Sequence, residues 1–298
     1  MKDVTPPTDD HLSKALQRAQ SNEPSVRDWN KPSKYSNVLP TRDPGRNGGS
    51  NSTKGFGTEI ELDLKHLHSK NLLSNLDLDD ALIVDRYRLL RTRIRQLMKP
   101  RDWTRLGITS PSAKEGKSVT AINLALTAAR EGIGSVLLLD ADLRRPAIAD
   151  YLGIDVEKGL LEYLNEDASL DDIVYQPKNI PNLYVIPTRA DEDALMGISL
   201  GSNRMEMLLD SVSSNLVLTI VDLPPTLVAD DVLSAATLLD ALAIVIRDGK
   251  TRTDELTAST ELLADFNLLG TVLNDCESGA SNAHGYYFHK KSSSRSAS

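Results

Sequence analysis

The densest chemistry in the chain lies in Thr109-Ser-Pro-Ser-Ala-Lys114-Glu115-Gly116-Lys117-Ser118, between the apolar run Leu106–Thr109 and a stretch of helical period. A loop that joins a strand to a helix N-terminus turns backbone N–H groups and the positive end of the helix dipole toward phosphate. In such a loop Lys117 reaches the β and γ phosphates of a nucleotide and the Ser118 hydroxyl ligates Mg²⁺, with Lys114, Glu115, Gly116 and Val119 around them. The pattern G-x-x-x-x-G-K-[ST] is incomplete, because Pro111 stands where its first glycine belongs. Two later apolar runs end in acids. Val136-Leu-Leu-Leu is followed by Asp140-Ala-Asp142-Leu-Arg144, and Leu218-Thr-Ile-Val by Asp222-Leu-Pro224-Pro225. In an open α/β sheet ligands sit outside the carboxyl ends of the strands, so all three acids are expected at the edge that carries the loop. Carboxylate and water oxygens suit Mg²⁺, and phosphoryl transfer to a hydroxyl needs a group to accept a proton. The competing reading is that Asp140 and Asp222 only cap the turns that follow them.

Positioning these residues requires parallel strands. The apolar runs Leu106–Thr109, Val136–Leu139, Leu183–Ile186, Leu216–Val221, Ala241–Ile246 and Thr271–Leu273 alternate with segments such as Ser118–Arg130 and Thr253–Phe266, which have helical length and period. Alternating strand and helix predicts an α/β fold, a mostly parallel sheet flanked by helices on both faces; with the Gly116-Lys117-Ser118 loop it resembles the P-loop NTPase type. Ahead of it, Ile83, Tyr87, Leu90, Ile94 and Leu97 recur at steps of four and three, the stripe of an amphipathic helix that stops near Pro100. Residues 59–80 are apolar enough to dock on the domain but too irregular to assign. Residues 1–57 hold six of the 14 prolines, and Ile, Leu, Val and Phe fill only seven of those positions. So little apolar surface predicts a disordered N-terminal arm, 1–58. The domain is expected over 81–288, and 289–298 as a mobile polar tail.

The 298 residues carry a net charge of −8, unevenly distributed. Asp85 to Arg105 contains eight Lys or Arg and two Asp, a local +6, which leaves −14 for the rest. An acidic chain of this kind is not expected to cling to nucleic acid. One cysteine, Cys276, excludes a disulfide framework within the chain. No stretch approaches the roughly 20 apolar residues of a membrane span, so a cytoplasmic location is expected, with any membrane association supplied by a partner.

Together these motifs make residues 81 to about 288 similar to the bacterial tyrosine kinases of capsule and exopolysaccharide systems, P-loop proteins related to the MinD/ParA ATPases. Asp140-Ala-Asp142-Leu-Arg144 matches the family's Asp-x-Asp-x-Arg motif, and Asp222-Leu-Pro224-Pro225 its third motif, with Asp231 as the later acid. Asp85-Arg-Tyr-Arg88-Leu-Leu-Arg91 resembles the Glu-x-x-Arg-x-x-Arg segment that packs against a neighbouring subunit in a ring. The resemblance implies ATP and Mg²⁺ as cofactors, with Lys117, Ser118, Asp142 and Asp222 around phosphates and metal. It also implies Asp140 as proton acceptor, Arg144 on the phosphate side, and Asn274 either at the adenine or as a cap. Tail tyrosines Tyr286 and Tyr287 become the phosphoacceptors. A homo-oligomer is implied, and a separate Wzz-type membrane chain-length protein as partner.

Two departures bear on activity. The family's usual Pro-Gly-Glu-Gly-Lys-Ser reads Ala113-Lys114-Glu115-Gly116-Lys117-Ser118. Should that position need a positive φ, lysine there costs about 1–2 kcal/mol, while its charge near phosphates works the other way. Asp85 replaces the family's glutamate, one methylene shorter. A MinD/ParA-type ATPase and a weakly catalytic nucleotide-binding scaffold are the alternatives. The former places a signature lysine five residues before the loop lysine, where this chain has Ser112.

Overall fold

A computed structural model describes residues 57–74, 81–132, 134–189, 198–213 and 216–276. Eight strands form one sheet: β1 (Thr58–Ile60), β2 (Arg105–Thr109), β3 (Ser135–Asp140), β4 (Tyr175–Pro177), β5 (Leu183–Ile186), β6 (Leu216–Asp222), β7 (Ala241–Arg247) and β8 (Leu268–Asn274). Their order is β1-β4-β5-β3-β6-β2-β7-β8. From β5 to β8 every pairing is parallel, whereas β4 runs antiparallel to β5 and β1 parallel to β4. The two outermost strands on that side are therefore reversed. The helices are α1 (Leu64–Ser69), α2 (Ala81–Met98), α3 (Lys117–Glu131), α4 (Ile148–Leu152), α5 (Leu160–Leu164), α6 (Leu170–Ile173), α7 (Asn203–Ser213), α8 (Asp231–Ala236) and α9 (Thr253–Leu262).

The central strands are apolar runs because both their faces are covered. On one face Leu137, Leu139, Val221 and Ile244 pack with Leu208 and Leu209 of α7 and Val232 of α8. On the other Leu106, Ile108, Leu138 and Ile220 pack with Ile122 and Leu126 of α3 and Ile94 and Met98 of α2. Helix α3 is buried almost throughout, from Lys117 to Ala129, and ends at Gly132, whose φ of +71° suits glycine. Residues 57–74 form a strand, a helix and an extended stretch. Leu73 N donates to Asn123 Oδ1 at 2.8 Å, and Arg130 donates to the carbonyls of Leu73 and Ser74 at 2.6 Å each. The arm expected over 1–58 thus gives way to structure at Gly57, where order comes from pairing with β4 rather than from apolar content. The rest of that arm, residues 75–80 and the tail expected over 289–298 lie outside the described residues.

Two expectations need correction. In α2 the buried residues are Val84, Ile94 and Met98, while Ile83 and Leu97 are each 42% exposed. Ile83–Val84 and Leu97–Met98 are adjacent apolar pairs, so two registers keep the same spacing. The chosen register turns Arg91 inward to Glu131 of α3 at 3.1 Å. Helix α9 ends four residues before Phe266, and Leu263 and Phe266 reach the core from a turn.

Arg105, at the start of β2, is 1% exposed and donates to Asp210 of α7 at 2.6 Å. Removing that partner leaves a buried guanidinium short of an acceptor. Asp210→Ala is expected to lower the unfolding free energy by about 2–3 kcal/mol, and Asp210→Asn by less, as read from urea denaturation midpoints.

Candidate nucleotide site

The loop after β2 is built from polar contacts on all sides. Its start is held by Thr226, whose N–H donates to Ser110 O at 2.8 Å. Ser110 Oγ donates to Ser112 O at 2.7 Å, closing the first turn. Glu115 turns under the loop: its Oε2 accepts from Ser112 N at 3.3 Å and its Oε1 from Thr251 Oγ1 at 2.7 Å. Burial pushes the Glu115 carboxyl up, and Glu255 adds to it, against those hydrogen bonds. Lys114 has φ +67° and Gly116 φ +91°. At Gly116 a Cβ would overlap Asn274 Nδ2, which donates to Glu115 O at 3.0 Å. Glycine is required there, and lysine is strained at 114, as its residue type and that loop position suggest.

Strands β3 and β6 are neighbours in register, so Asp140 sits directly opposite Asp222. Both are fully buried and Asp142 is 3% exposed. Lys117 lies among them. Its ammonium is 2.9 Å from Asp142 Oδ2, 3.3 and 3.4 Å from the two oxygens of Asp222, and 3.3 Å from Ser118 Oγ. Burial pulls the Lys117 pKa down, but Asp222, Asp142 and Asp140 together hold it above its ordinary value. Burial pushes Asp222 up even though Lys117 opposes it. For Asp140, burial and then the neighbouring Asp222 push the carboxyl up to about 8. Ile148 N and Ala147 N, on Oδ2 at 3.0 and 2.9 Å, and the Lys117 charge work against that rise, and Asp142 N donates to Oδ1 at 3.2 Å. Asp140 therefore caps the chain entering α4, as the competing reading of that residue had it. Thr188 Oγ1 donates to the Asp140 carbonyl at 2.7 Å and fixes the end of β3.

One ammonium faces three carboxylates, so the cluster has room in charge for a divalent cation. Among the described residues no three His, Cys, Asp or Glu side chains form a ready-made metal cage. Mg²⁺ is held by one or two carboxylates with water and phosphate oxygens. The donors present, Ser118 Oγ with Asp142 and Asp222, suit that ion at the N-terminus of α3.

The remaining expected residues fall in different places. Val119, in the first turn of α3, packs against the core. Asn274, whose role was open between adenine and cap, braces the loop from the end of β8. Arg144 forms an exposed pair with Asp231, Nε to Oδ2 3.1 Å, which ties two matching motif positions to each other at the rim. Arg88 pairs with Asp85 at 3.3 Å along the surface of α2. Arg91, expected at a subunit contact, is 19% exposed and pairs with Glu131 of α3, Nε to Oε2 3.1 Å. Tyr286 and Tyr287 lie outside the described residues. Thr251, Glu255, Thr226 and Thr188 were not expected at the site. The turn after β7 carries no motif spacing, and only the sheet's parallel topology could have pointed to it.

Residues 114–255 match the family described as AAA domain. The chain is 32% identical over 209 residues to the tyrosine-protein kinase YwqD of Bacillus subtilis, covering 70% of this chain and 87% of that protein. It is 30% identical over 200 residues to the tyrosine-protein kinase ptk of Acinetobacter johnsonii, covering 66% of this chain but 27% of that longer protein. Among solved structures, the kinase domain of the Escherichia coli tyrosine kinase ETK is similar with a TM-score of 0.60 at 28% identity, covering 68% of this chain and 79% of that one. A likeness that runs through nearly the whole of the Bacillus protein settles the family: the chain belongs to the bacterial tyrosine-protein kinases.

Proposed function

We infer that this protein is an ATP-dependent tyrosine autokinase that regulates exopolysaccharide or capsule synthesis and export. The observation that carries this is the Lys117 ammonium between Asp142, Asp222 and Ser118, with Asp140 behind them, at the mouth of a strand–loop–helix turn. Bound Mg²⁺–ATP supplies the γ-phosphoryl group and neutralises its charge. The loop amides and the α3 N-terminus bind the phosphates, Lys117 pairs with them, and Ser118, Asp142 and Asp222 hold the metal. Asp140 is the proton acceptor. Its two oxygens offer about four lone-pair sites and three are taken by backbone N–H groups, which leaves one for a phenol. A carboxyl pushed up to about 8 is mostly protonated at neutral pH, so Asp140 would accept the phenol's proton only with a cation beside it that favours its ionised form. The tail acceptors are Tyr286 and Tyr287, twelve residues beyond Asn274, about 40 Å of extended chain.

The chain would act as a homo-oligomer under a separate Wzz-type membrane chain-length protein at the inner face of the membrane. No helix of the described residues is long and apolar enough to cross a membrane. With Arg91 turned inward, the outer face of α2 leaves Arg88, Leu82 at 51% exposure and Leu89 at 60% for contact with another subunit. The alternatives persist where the loop departs from its usual form. Ser112, at the signature-lysine position of MinD/ParA-type ATPases, has its hydroxyl 3.3 Å from Glu255.

Incubating the protein with Mg²⁺–ATP, with mapping of phosphotyrosine and measurement of phosphate release, tests the reading. Tail phosphotyrosine is expected, reduced about 10²-fold or more by Asp140→Asn. Phosphate release without phosphotyrosine would mark an ATPase, and binding without turnover a scaffold. Mg²⁺–ATP at a hundred times its dissociation constant is expected to raise the unfolding free energy by about 2.7 kcal/mol, and Ser118→Ala to remove most of the Mg²⁺ dependence of that gain in urea titrations. Lys114→Gly relieves the positive φ and should stabilise the free protein by about 1 kcal/mol. Losing the cation should weaken ATP binding by about three- to tenfold in calorimetry.

A further inference from the structure

Part of the basic segment Asp85–Arg105 has no role at the nucleotide site. Arg91, Arg95 and Lys99 recur at steps of four, so they stand in a row on one face of α2 and of the short turn, Lys99–Arg101, that ends it. Like charges at that spacing repel one another. Among the described residues the carboxylate paired with the row is Glu131, the last residue of α3, 3.1 Å from Arg91 Nε and 3.2 Å from Arg95 Nη1. Arg91 Nη1 also lies 3.5 Å from the Thr127 carbonyl. A guanidinium carries five N–H donors, so each arginine keeps donors for a further acceptor.

The three cations line a cavity of about 390 Å³ between α2, α3 and the starts of β2 and β6. Its floor is apolar and buried, made by Ile94, Met98, Leu124 and Ala128, with Leu218 and the Trp103 ring beside them. Asp102 lines the Trp103 end, where the Arg101 guanidinium, 5.0 Å from the centre of that ring, offsets its charge. An adjoining hollow of about 570 Å³ shares Arg91, Arg95, Lys99 and Glu131 and extends along α2 to Thr92 and Gln96. A mostly apolar cavity with a few convergent polar groups is the usual form of a small-molecule site. It is distinct from the nucleotide site, because β2 and β6 start here and end at the phosphate loop. The 15 residues of α3 separate the two by about 22 Å.

We propose that this cavity binds an anionic amphiphile, a phosphate monoester on an apolar chain or ring. The phosphate sits among Arg91, Arg95 and Lys99, and the apolar body lies against Met98, Leu124 and Trp103. Charge selects the head. Three cations less Glu131 leave two positive charges, and a phosphate monoester carries about −1.5 to −2. Arginine forks bond phosphate oxygens in pairs, and a shared counter-ion relieves the repulsion along the row. Shape selects the body: the apolar surface is concave and buried, so it receives a single chain or ring rather than the face of a bilayer. The cavity shares no residue with the phosphate loop, so the proposal stands apart from the autokinase reading.

The test uses the full chain carrying Trp29→Phe, which leaves Trp103 as the one tryptophan to report by fluorescence. It is titrated with decyl phosphate below its micelle concentration, with 1-decanol and with inorganic phosphate. Decyl phosphate is expected to give a saturable change in Trp103 emission, with a dissociation constant about tenfold or more below those of the other two. Arg95→Gln/Lys99→Gln, at exposed positions outside the core, is expected to weaken it about tenfold. Saturating Mg²⁺–ATP should leave the titration unchanged. Equal binding of 1-decanol, or full affinity in the double variant, overturns recognition of the anionic head. Equal binding of inorganic phosphate overturns the apolar body, and displacement by Mg²⁺–ATP overturns a separate site. Adsorption to phosphatidylglycerol vesicles without any Trp103 response to decyl phosphate marks a membrane surface instead of a cavity and overturns the proposal as a whole.

Discussion

The structure depends on how one buried ammonium is shared. Lys117 opens α3, and its Nζ touches carboxylates that end or follow two different strands, Asp222 of β6 and Asp142 beyond β3. Three acids brought together out of water would repel one another at considerable cost, and that ammonium makes the cluster tolerable. The same contacts tie the helix N-terminus to the centre of the sheet. In the free protein Lys117 thus does structurally what the Mg²⁺ ion is proposed to do on nucleotide binding. Binding would then be an exchange of cations: the metal takes over neutralisation of the acids, and the lysine becomes available to phosphate.

That exchange requires a loop that keeps its shape while its charges change, and the contacts around it supply this. Glu115 is held by Thr251 from the turn after β7, Thr226 bonds to Ser110 from beyond β6, and Asn274 grips the Glu115 carbonyl from the end of β8. Arg247, at the end of β7, joins the segment after β8 to the loop, donating to Asp275 Oδ2 at 2.8 and 2.7 Å and lying 3.5 Å from Lys114 O. The strand that leads into the tyrosine-bearing tail is therefore bonded to the loop whose nucleotide would phosphorylate it. A strained Lys114 is tolerable in this setting, because neighbours on both sides determine the backbone there.

What could be read from the residues follows from locality. Asp140, Asp142, Asp222 and Lys117 each end or begin an apolar element, and parallel topology alone brings such positions to one edge. The six apolar runs became β2, β3, β5, β6, β7 and β8; burial on both faces leaves a continuous apolar signal in the inner strands, whereas the edge strand β8 is only partly covered. The register of α2 was not legible, since Ile83 and Val84 are equally apolar and the choice is made by Arg91 meeting Glu131, 40 residues away. Thr251 and Glu255 escaped notice because a polar residue in a turn acquires meaning only from what the sheet places above it. β1 and β4, three residues each, are too short for any periodicity.

Those short strands have consequences beyond their size. Had β4 and β1 continued the parallel pattern, the arm would have joined the sheet at the edge opposite the phosphate loop. A chain crossing from there must pass a full strand length and a covering helix. Reversal of two three-residue strands removes that path, and Gly57 turns the chain where no other residue fits. Since β8 is parallel to β7, it ends at the catalytic edge as well. Both flanks of the domain thus approach one active site from opposite ends of the sheet. β1 lies five strands from the loop-bearing β2 and β8 only two, so the chain leaves the sheet at Asn274 much nearer the phosphate loop than it enters at Thr58.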